Sequence, residues 1–343
     1  MKREDVYGVY AVIPPQAARN PEFYVRQNHP IPTLRVVRED DDGVVISGMK
    51  MLATGAVFAN EIWIGNLIPL APNQLPESIT CAIAVNAPGV TLWSRKPFEL
   101  HAQNEFDNPL AWRFDETDSM VMCENVKVPW ERVFLKGEVD MAGPLAKTFV
   151  EFHRFTAVSY KLPLVDLFVG ASRLMAEYNG ILRANHVRDK LARLISYAQI
   201  CRGMAREAAR ECKVVDGIAV PNAELINIAK LHFAENYHQA LAWVIDIAGG
   251  LLVTGPSKED LDHPRLGELV SKYLGGAGGV PAEDRLKLIN LIAEITTTDF
   301  AGYQAVLAIH AEGSIEAEKL TIFASHDARA SVEYAKKLAG IGG

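Results

Sequence analysis

The sequence predicts an α+β protein: an antiparallel β barrel or sandwich over residues 1–140, followed by an α-helical bundle over residues 141–343. Three observations carry this expectation. Short apolar runs broken by Pro, Asn and Gly fill the first part. Apolar residues spaced by three and four fill the second, and the change of period falls in the connection Lys136 to Gly143.

The β elements follow in order from about Tyr7. Thr33 to Arg38 and Val44 to Met49 flank the turn EDDDG, Glu39 to Gly43, whose acids and glycine suit a tight reversal. Further β-type runs lie at Phe58 to Ile64, Ile79 to Val85 and Met120 to Val128, separated by turn-forming residues. The helical segments fall at about residues 145–179, 183–214, 222–247, 282–311 and 314–340. Several carry end signals. Asn222 after Pro221, Ser257 before Lys258-Glu259-Asp260, and Ser314 before Glu316 and Glu318 are N-cap candidates, and Pro281 precedes the acidic first turn Glu283-Asp284. The apolar faces of LVDLFVGASRLMAEY and LINIAKLHFAENYHQALAWVIDIAGG are broad enough to be buried between subunits, so a homo-oligomer is expected.

Composition narrows the function. A net charge of −7, an apolar fraction of 49% and the lack of a basic stripe describe an ordinary globule rather than a nucleic-acid binder. The longest apolar stretch, Ala240 to Thr254, contains Asp246 and a Gly pair and is too short to span a bilayer. MKREDVYGVY has no signal-peptide core, which predicts a cytoplasmic protein. Cys81, Cys123, Cys201 and Cys212 lie far apart, so no metal site is expected from this chain alone, and the thiols are expected to be reduced.

Five stretches could carry chemistry. In VIPPQAAR two prolines set the backbone before Gln16 and Arg19, which could aim donors at a phosphate or a heteroaromatic edge, or simply decorate a surface loop. KMLATG ends a strand with Thr54 before a glycine, which presents a hydroxyl and nearby N–H groups, or merely a turn. In VEFHRFTAVSYK, His153 and Lys161 fall eight residues apart on nearly one helical face, with Tyr160 close to that line and Arg154 beside the histidine. A histidine so placed is either an acid–base group or a packing residue. DIAGGLLVTGPS breaks a helix at Gly249-Gly250, open to close ligand approach or acting as a C-cap. Asp115, Glu116 and Asp118 crowd three carboxylates together, which can raise one pKa or make a solvated turn.

Taken together and in this order, these blocks resemble one family: the flavoproteins that include 4-hydroxyphenylacetate 3-hydroxylase and 4-hydroxybutyryl-CoA dehydratase/vinylacetyl-CoA isomerase. VVREDDDGVVISGMKMLATGA and VPWERVFL resemble two of its blocks, while FHRFTAVSYK, MAEYNGILRANHVRDKL, DIAGGLLVTGPSKEDL and VPAEDRLKLINLIAEI resemble the dehydratase branch. The resemblance implies an acyl-CoA-dehydrogenase-like fold, a tetramer and an FAD site. That site would be lined by Tyr10, Val12, Gln16, Arg19 and Thr54, with Ala248, Gly249 and Gly250 approaching from a neighbouring subunit. His153 falls on that branch's histidine ligand to an iron–sulfur cluster, Lys161 on a family lysine, and Asp118 on a catalytic Glu.

The departures matter as well. Tyr160 stands where the cluster-binding branch has a cysteine, Ile245 where it has a second active-site Glu, and Ala157 where it has a Tyr. These changes imply that a [4Fe–4S] cluster is not held in that branch's way. The chain also begins at the family's β domain, which implies a separate helical subunit completing the pocket. VPWERVF is expected to be architectural, leaving Asp118 as the acid with a claim to chemistry. Three readings follow: an FAD enzyme of the dehydratase/isomerase kind on a small acyl-CoA or related substrate, with His153, Lys161 and Asp118 catalytic; a reduced-flavin monooxygenase served by a flavin reductase; or a non-catalytic structural subunit.

Overall fold

The computed structural model describes residues 3–16, 21–29, 31–67 and 70–341, with backbone alone at Pro21, Phe23 and Glu99. The chain forms two compact units, Met1–Leu100 with Phe114–Phe149 and His101–Arg113 with Val150–Gly343.

The first unit carries β1 (Gly8–Ala11), α1 (Pro21–Arg26), β2 (Arg35–Asp40), β3 (Gly43–Thr54), β4 (Glu61–Ile64), β5 (Ile79–Ala84), β6 (Val90–Ser94), β7 (Asp118–Pro129) and β8 (Val133–Lys136). They form two four-stranded sheets, ordered β1-β4-β5-β8 and β2-β3-β7-β6. The expected β2–β3 hairpin turns over Asp41-Asp42, with Asp40 opposite Gly43. One pairing departs from the antiparallel pattern: β1 runs parallel to β4. No local signal marks it, because the whole β2–β3 hairpin lies between the two strands.

Alternation explains the packing. Along β7, Val121, Cys123, Val126 and Val128 are buried while Glu124, Asn125 and Lys127 face outward. These side chains, with Val44 and Ile46 of β3, share one core with Ile62 and Ile64 of β4 and Ile79 and Cys81 of β5, so the unit is a sandwich. The Pro-Trp turn after β7 ties both sheets. Trp130 Nε1 donates to the Asp40 carbonyl at 3.1 Å, Lys127 and Lys136 pair with Asp40 and Glu39 of β2, and Arg132 pairs with Glu61 of β4. VPWERVF is architectural, as the resemblance implied.

The second unit holds α2 (Ala142–Tyr178) from Val150 onward, α3 (Asn185–Arg210), β9 (Lys213–Val215), β10 (Ile218–Val220), α4 (Ala223–Ala248), α5 (Leu251–Thr254), α6 (Lys258–Asp262), α7 (Pro264–Tyr273), α8 (Ala282–Thr296), α9 (Asp299–His310), α10 (Ile315–Ser325) and α11 (Arg329–Ala339). Its core runs through Phe168, Met175, Leu194, Tyr237, Val244, Ile289 and Ile292. The expected caps are present: Asn222 Oδ1 accepts from the Leu225 N–H, Ser314 Oγ from the Ala317 N–H, and Ser257 forms a capping box with Asp260.

Three segments are shorter than their periodicity predicts. The third helix stops at Arg210 because Asp216 and Gly217, both at positive φ, make the two-residue turn of the β9–β10 hairpin. The 282–311 segment divides at Thr296-Thr297-Thr298, whose hydroxyls bond carbonyls four residues back. The 314–340 segment divides at His326 to Ala328, where Asp327 takes the Arg329 N–H. Within the same unit Glu294 of α8 accepts the N–H groups of Leu110 and Ala111, and Asp107 accepts that of Lys258, so residues 104–111 are pinned to the helices. Cys81, Cys123 and Cys201 are free and buried, and Cys212 is free and exposed. No described helix is long and apolar enough to cross a membrane.

In the β unit one buried charge stands out. Lys50 is fully buried and donates to Asn66 Oδ1 at 2.8 Å, while Asn66 donates to the carbonyls of Glu77 and Ile79. Burial lowers the amine to about 8 from its ordinary 10.5. The unfolded chain therefore binds the proton more tightly between those two values. Stability should rise with pH across that window, by roughly 1.4 kcal/mol per pKa unit of difference. Urea titrations at pH 7.5 and 9.5 test this, and Lys50→Met should flatten the difference.

Candidate functional site

In the β unit the end of β3 is registered against the start of β7, with Thr54 opposite Asp118. The Thr54 hydroxyl donates to Asp118 Oδ1, so its lone pairs remain to accept a hydrogen bond. The other two acids of that stretch have different surroundings. Asp115 pairs with Arg95 and takes the N–H of Phe98 at 3.2 Å, while Arg95 Nε donates to the Glu116 carbonyl at 2.7 Å. Asp115 thus fixes a turn, and Asp118 joins the exposed hydroxyl. Tyr10 on β1 packs edge-on against Phe149 with ring centroids 4.9 Å apart. The Val12 side chain is buried, which leaves only its main chain for a ligand, and Gln16 is exposed. Arg19 lies outside the described residues.

In the helical unit α2 places His153, Arg154, Tyr160 and Lys161 within two turns. The Lys161 ammonium lies 2.6 Å from Glu312 Oε2, with both side chains almost fully buried. Tyr160 donates to Glu312 Oε1 at 2.5 Å. Arg154, 2% exposed, donates to the Glu312 carbonyl at 3.1 Å, to Thr321 Oγ1 at 3.2 Å and to Asn227 Oδ1. Beneath this layer Lys230 of α4 sits 3.1 Å from Glu318 of α10, both at zero exposure. Lys230 also donates to the Ala308 carbonyl at 3.2 Å.

Burial governs the protonation of this cluster. It lowers the His153 pKa, Glu312 opposes the shift, and the cations Lys161 and Arg154 add to it, so the imidazole is neutral near pH 7. Burial likewise lowers Lys161, against the pull of Glu312, and raises Glu318, against the pull of Lys230 and Arg154.

At the end of α4 the Gly249 backbone has φ 82° and ψ −172°, a region essentially reserved for glycine, and its N–H caps the helix on the Ile245 carbonyl. Gly250 has an ordinary helical backbone, and a Cβ on either glycine would meet no atom within 4 Å. The capping role and the open approach therefore coexist, Gly249 serving the first and Gly250 free for the second.

Residues that sequence reasoning passed over dominate the helical cluster: Glu312, Lys230, Glu318 and Asn227. Lys230 left a signal, a lone charge among Ile226, Ala229 and Phe233 on one face, all of them buried. Glu312 left none, since it belongs to a turn. Among the described residues, the charges acting on His153 are those of Glu312, Lys161 and Arg154, and none is a thiolate. Among the described residues no three His, Cys, Asp or Glu side chains group to hold a metal ion. Iron–sulfur clusters are held by cysteine thiolates, so this donor set does not fit one.

The sequence matches the family described as 4-hydroxyphenylacetate 3-hydroxylase, its N-terminal part over residues 1–135 and its C-terminal part over residues 142–340. It is 27% identical over 340 residues to 4-hydroxybutyryl-CoA dehydratase/vinylacetyl-CoA-Δ-isomerase of Clostridium aminobutyricum, covering 95% of this chain and 67% of that protein. It is 31% identical to the oxygenase component of 4-nitrophenol 4-monooxygenase/4-nitrocatechol 2-monooxygenase of Rhodococcus opacus, covering 77% and 50%. The chain thus spans half to two thirds of these relatives. Among solved structures, an oxygen-tolerant archaeal 4-hydroxybutyryl-CoA dehydratase from N. maritimus superposes with a TM-score of 0.89 at 27% identity, covering 99% of this chain and 68% of that one. The oxygenase component of 4-hydroxyphenylacetate 3-monooxygenase complexed with FAD gives 0.87 at 26%, covering 98% and 70%. Butyryl-CoA dehydrogenase of Megasphaera elsdenii, at 14% identity, 0.57 and coverages of 93% and 68%, shares the fold alone.

The Glu312-Gly313 turn yields a direct test. Gly313 has φ 113°, and a Cβ there would stand 2.7 Å from an Arg154 guanidinium nitrogen that is held in place by its hydrogen bonds. Gly313→Ala should cost about 2 kcal/mol or more, whereas Gly250→Ala should cost little. Denaturant melts of the two variants compare them directly.

Proposed function

Because the chain belongs to the 4-hydroxyphenylacetate 3-hydroxylase family, we propose that it is an FAD-dependent enzyme that moves protons at an activated C–H of a small acyl-CoA or related carbonyl substrate. The single observation that carries this reading is His153 set beside the buried Lys161–Glu312 pair, where burial lowers its pKa and favours the neutral imidazole. Moving a double bond needs a base that takes a proton at one carbon and returns it at another, with no metal Lewis acid. A histidine held neutral by its surroundings suits that task. Lys161 supplies a fixed positive charge to steady the anion that proton removal creates, and Asp118 is the second acid–base candidate through its bond to Thr54.

The residues present fit a flavin. Thr54, whose proton is committed to Asp118, offers lone pairs to a ring N–H, and the Gly249-Gly250 turn leaves room for close approach. Tyr10, the Val12 main chain, Gln16 and Arg19 complete the proposed flavin set, with Ala248, Gly249 and Gly250 approaching from a neighbouring subunit. Bound FAD would supply an acceptor or donor of electrons or hydride. Self-association is supported by the exposed apolar side chains of α10 and α11, among them Phe323, Leu320, Tyr334 and Leu338.

A second reading has its own support. Tyr160 in place of a thiolate ligand, and the relative from Rhodococcus opacus named as an oxygenase component, favour reduced-flavin oxygenation of a small phenol, with a separate flavin reductase.

Two experiments separate the readings. The FAD-loaded protein should place deuterium from D2O into vinylacetyl-CoA without oxygen, and His153→Gln should lower that rate by about 10²–10⁴-fold. Because the His153 pKa is lowered, the acidic limb of the rate should lie below the ordinary histidine value of about 6.5. Oxygen-dependent hydroxylation of a phenol by added reduced FAD, with no deuterium exchange, would overturn the first reading. In flavin titrations Thr54→Val should weaken binding by about tenfold, the worth of one hydrogen bond, and an unchanged Kd would remove Thr54 from the site.

A further inference from the structure

The turn between α9 and α10 is built in an unusual way. Glu312 has φ +64°, a left-handed backbone that non-glycine residues adopt uncommonly. Three contacts converge on this one residue. Its Oε1 accepts from the Tyr160 phenol, its Oε2 from the Lys161 ammonium, and its carbonyl from Arg154 Nε. The next residue, Gly313, leaves the space that the Arg154 guanidinium fills. Strain of this kind persists where the surroundings over-determine a conformation, and here every determinant comes from the α2 segment that carries His153.

From this geometry we infer that Glu312 is a positioning residue: it holds Tyr160 and Lys161 side by side on α2, next to His153, and keeps the Lys161 ammonium charged inside the bundle. The inference rests on the reading of His153 given above. The ionisable groups facing the pair are Arg154, His153, Lys230 and Glu318, and Glu312 is the carboxylate in direct contact with Lys161. Tyr160, about half exposed, and Lys161, almost fully buried, bond the two oxygens of one carboxylate. Removing that carboxylate takes a bond from both side chains at once.

The test uses the full chain, its Glu312→Gln variant, which keeps the size of the side chain, and its Glu312→Gly variant, which adopts φ +64° without strain. Two readouts are taken: competitive acetylation of lysines by acetic anhydride at pH 8, resolved by mass spectrometry with Lys287 as the exposed reference, and the deuterium exchange described above. Loss of the carboxylate removes the anion bonded to the Lys161 ammonium, so its neutral fraction, and with it its acetylation, should rise about tenfold in both variants, while exchange falls in kcat more than in KM. Unchanged acetylation of Lys161 in Glu312→Gly overturns the inference. So does increased acetylation with unchanged exchange in a chain whose exchange still depends on His153. If the wild-type chain exchanges no deuterium, the reading of His153 fails, and acetylation alone then decides whether Glu312 holds Lys161. A variant that merely loses stability would show raised labelling at all buried lysines, Lys50 and Lys230 included, and would overturn the specific role.

Discussion

The helical unit depends on a knot of buried charge. Arg154, Lys161, Lys230, Glu312 and Glu318 are enclosed among α2, α4, α10 and the turn before α10. A buried ion pair adds little net stability over a well-packed apolar alternative, but losing one partner strands the other and typically costs about 3–5 kcal/mol. The knot therefore constrains more than it stabilises. Each member fixes the position of the next, and hydrogen bonds from Arg154 to Asn227, Thr321 and the Glu312 carbonyl extend the constraint to three separate elements.

Two consequences follow for chemistry. An imidazole set among these cations in a half-buried position is kept neutral, the state required of a base. In the proposed function the same cations would supply a fixed positive field that needs no rearrangement when negative charge develops on a substrate. In the β unit, Thr54 has an exposed hydroxyl whose proton is already engaged by Asp118. The strand register puts Thr54 opposite Asp118, and that register is in turn held by the buried alternation along β7.

Much of this was legible in one dimension. The β-to-α change, the β2–β3 hairpin and the caps Asn222, Ser257 and Ser314 follow from local rules, because turns and helix ends are decided by neighbours in sequence. The candidates Thr54, Asp118, His153 and Lys161 also stood out, Thr54 at a strand end before a glycine, Asp118 among crowded carboxylates, and His153 with Lys161 on one helical face. Some local signals were present but outweighed by periodicity: Asp216-Gly217 marks a hairpin inside a helical pattern, and three consecutive threonines end α8. The parallel β1–β4 pair, the division of labour between Asp115 and Asp118, and the roles of Glu312 and Glu318 were not legible.

Sequence alone determined the alternating and helical periods, the turn chemistry, the chemical groups available near His153, and the family to which their order belongs. These are properties of residues and their near neighbours. Tertiary structure decided which distant groups meet: β1 with β4, Trp130 with Asp40, Lys161 and Tyr160 with Glu312, and Arg154 with the space left by Gly313. The physical reason is that burial and partnership set the protonation of an ionisable side chain, and both are supplied by segments far away in the chain.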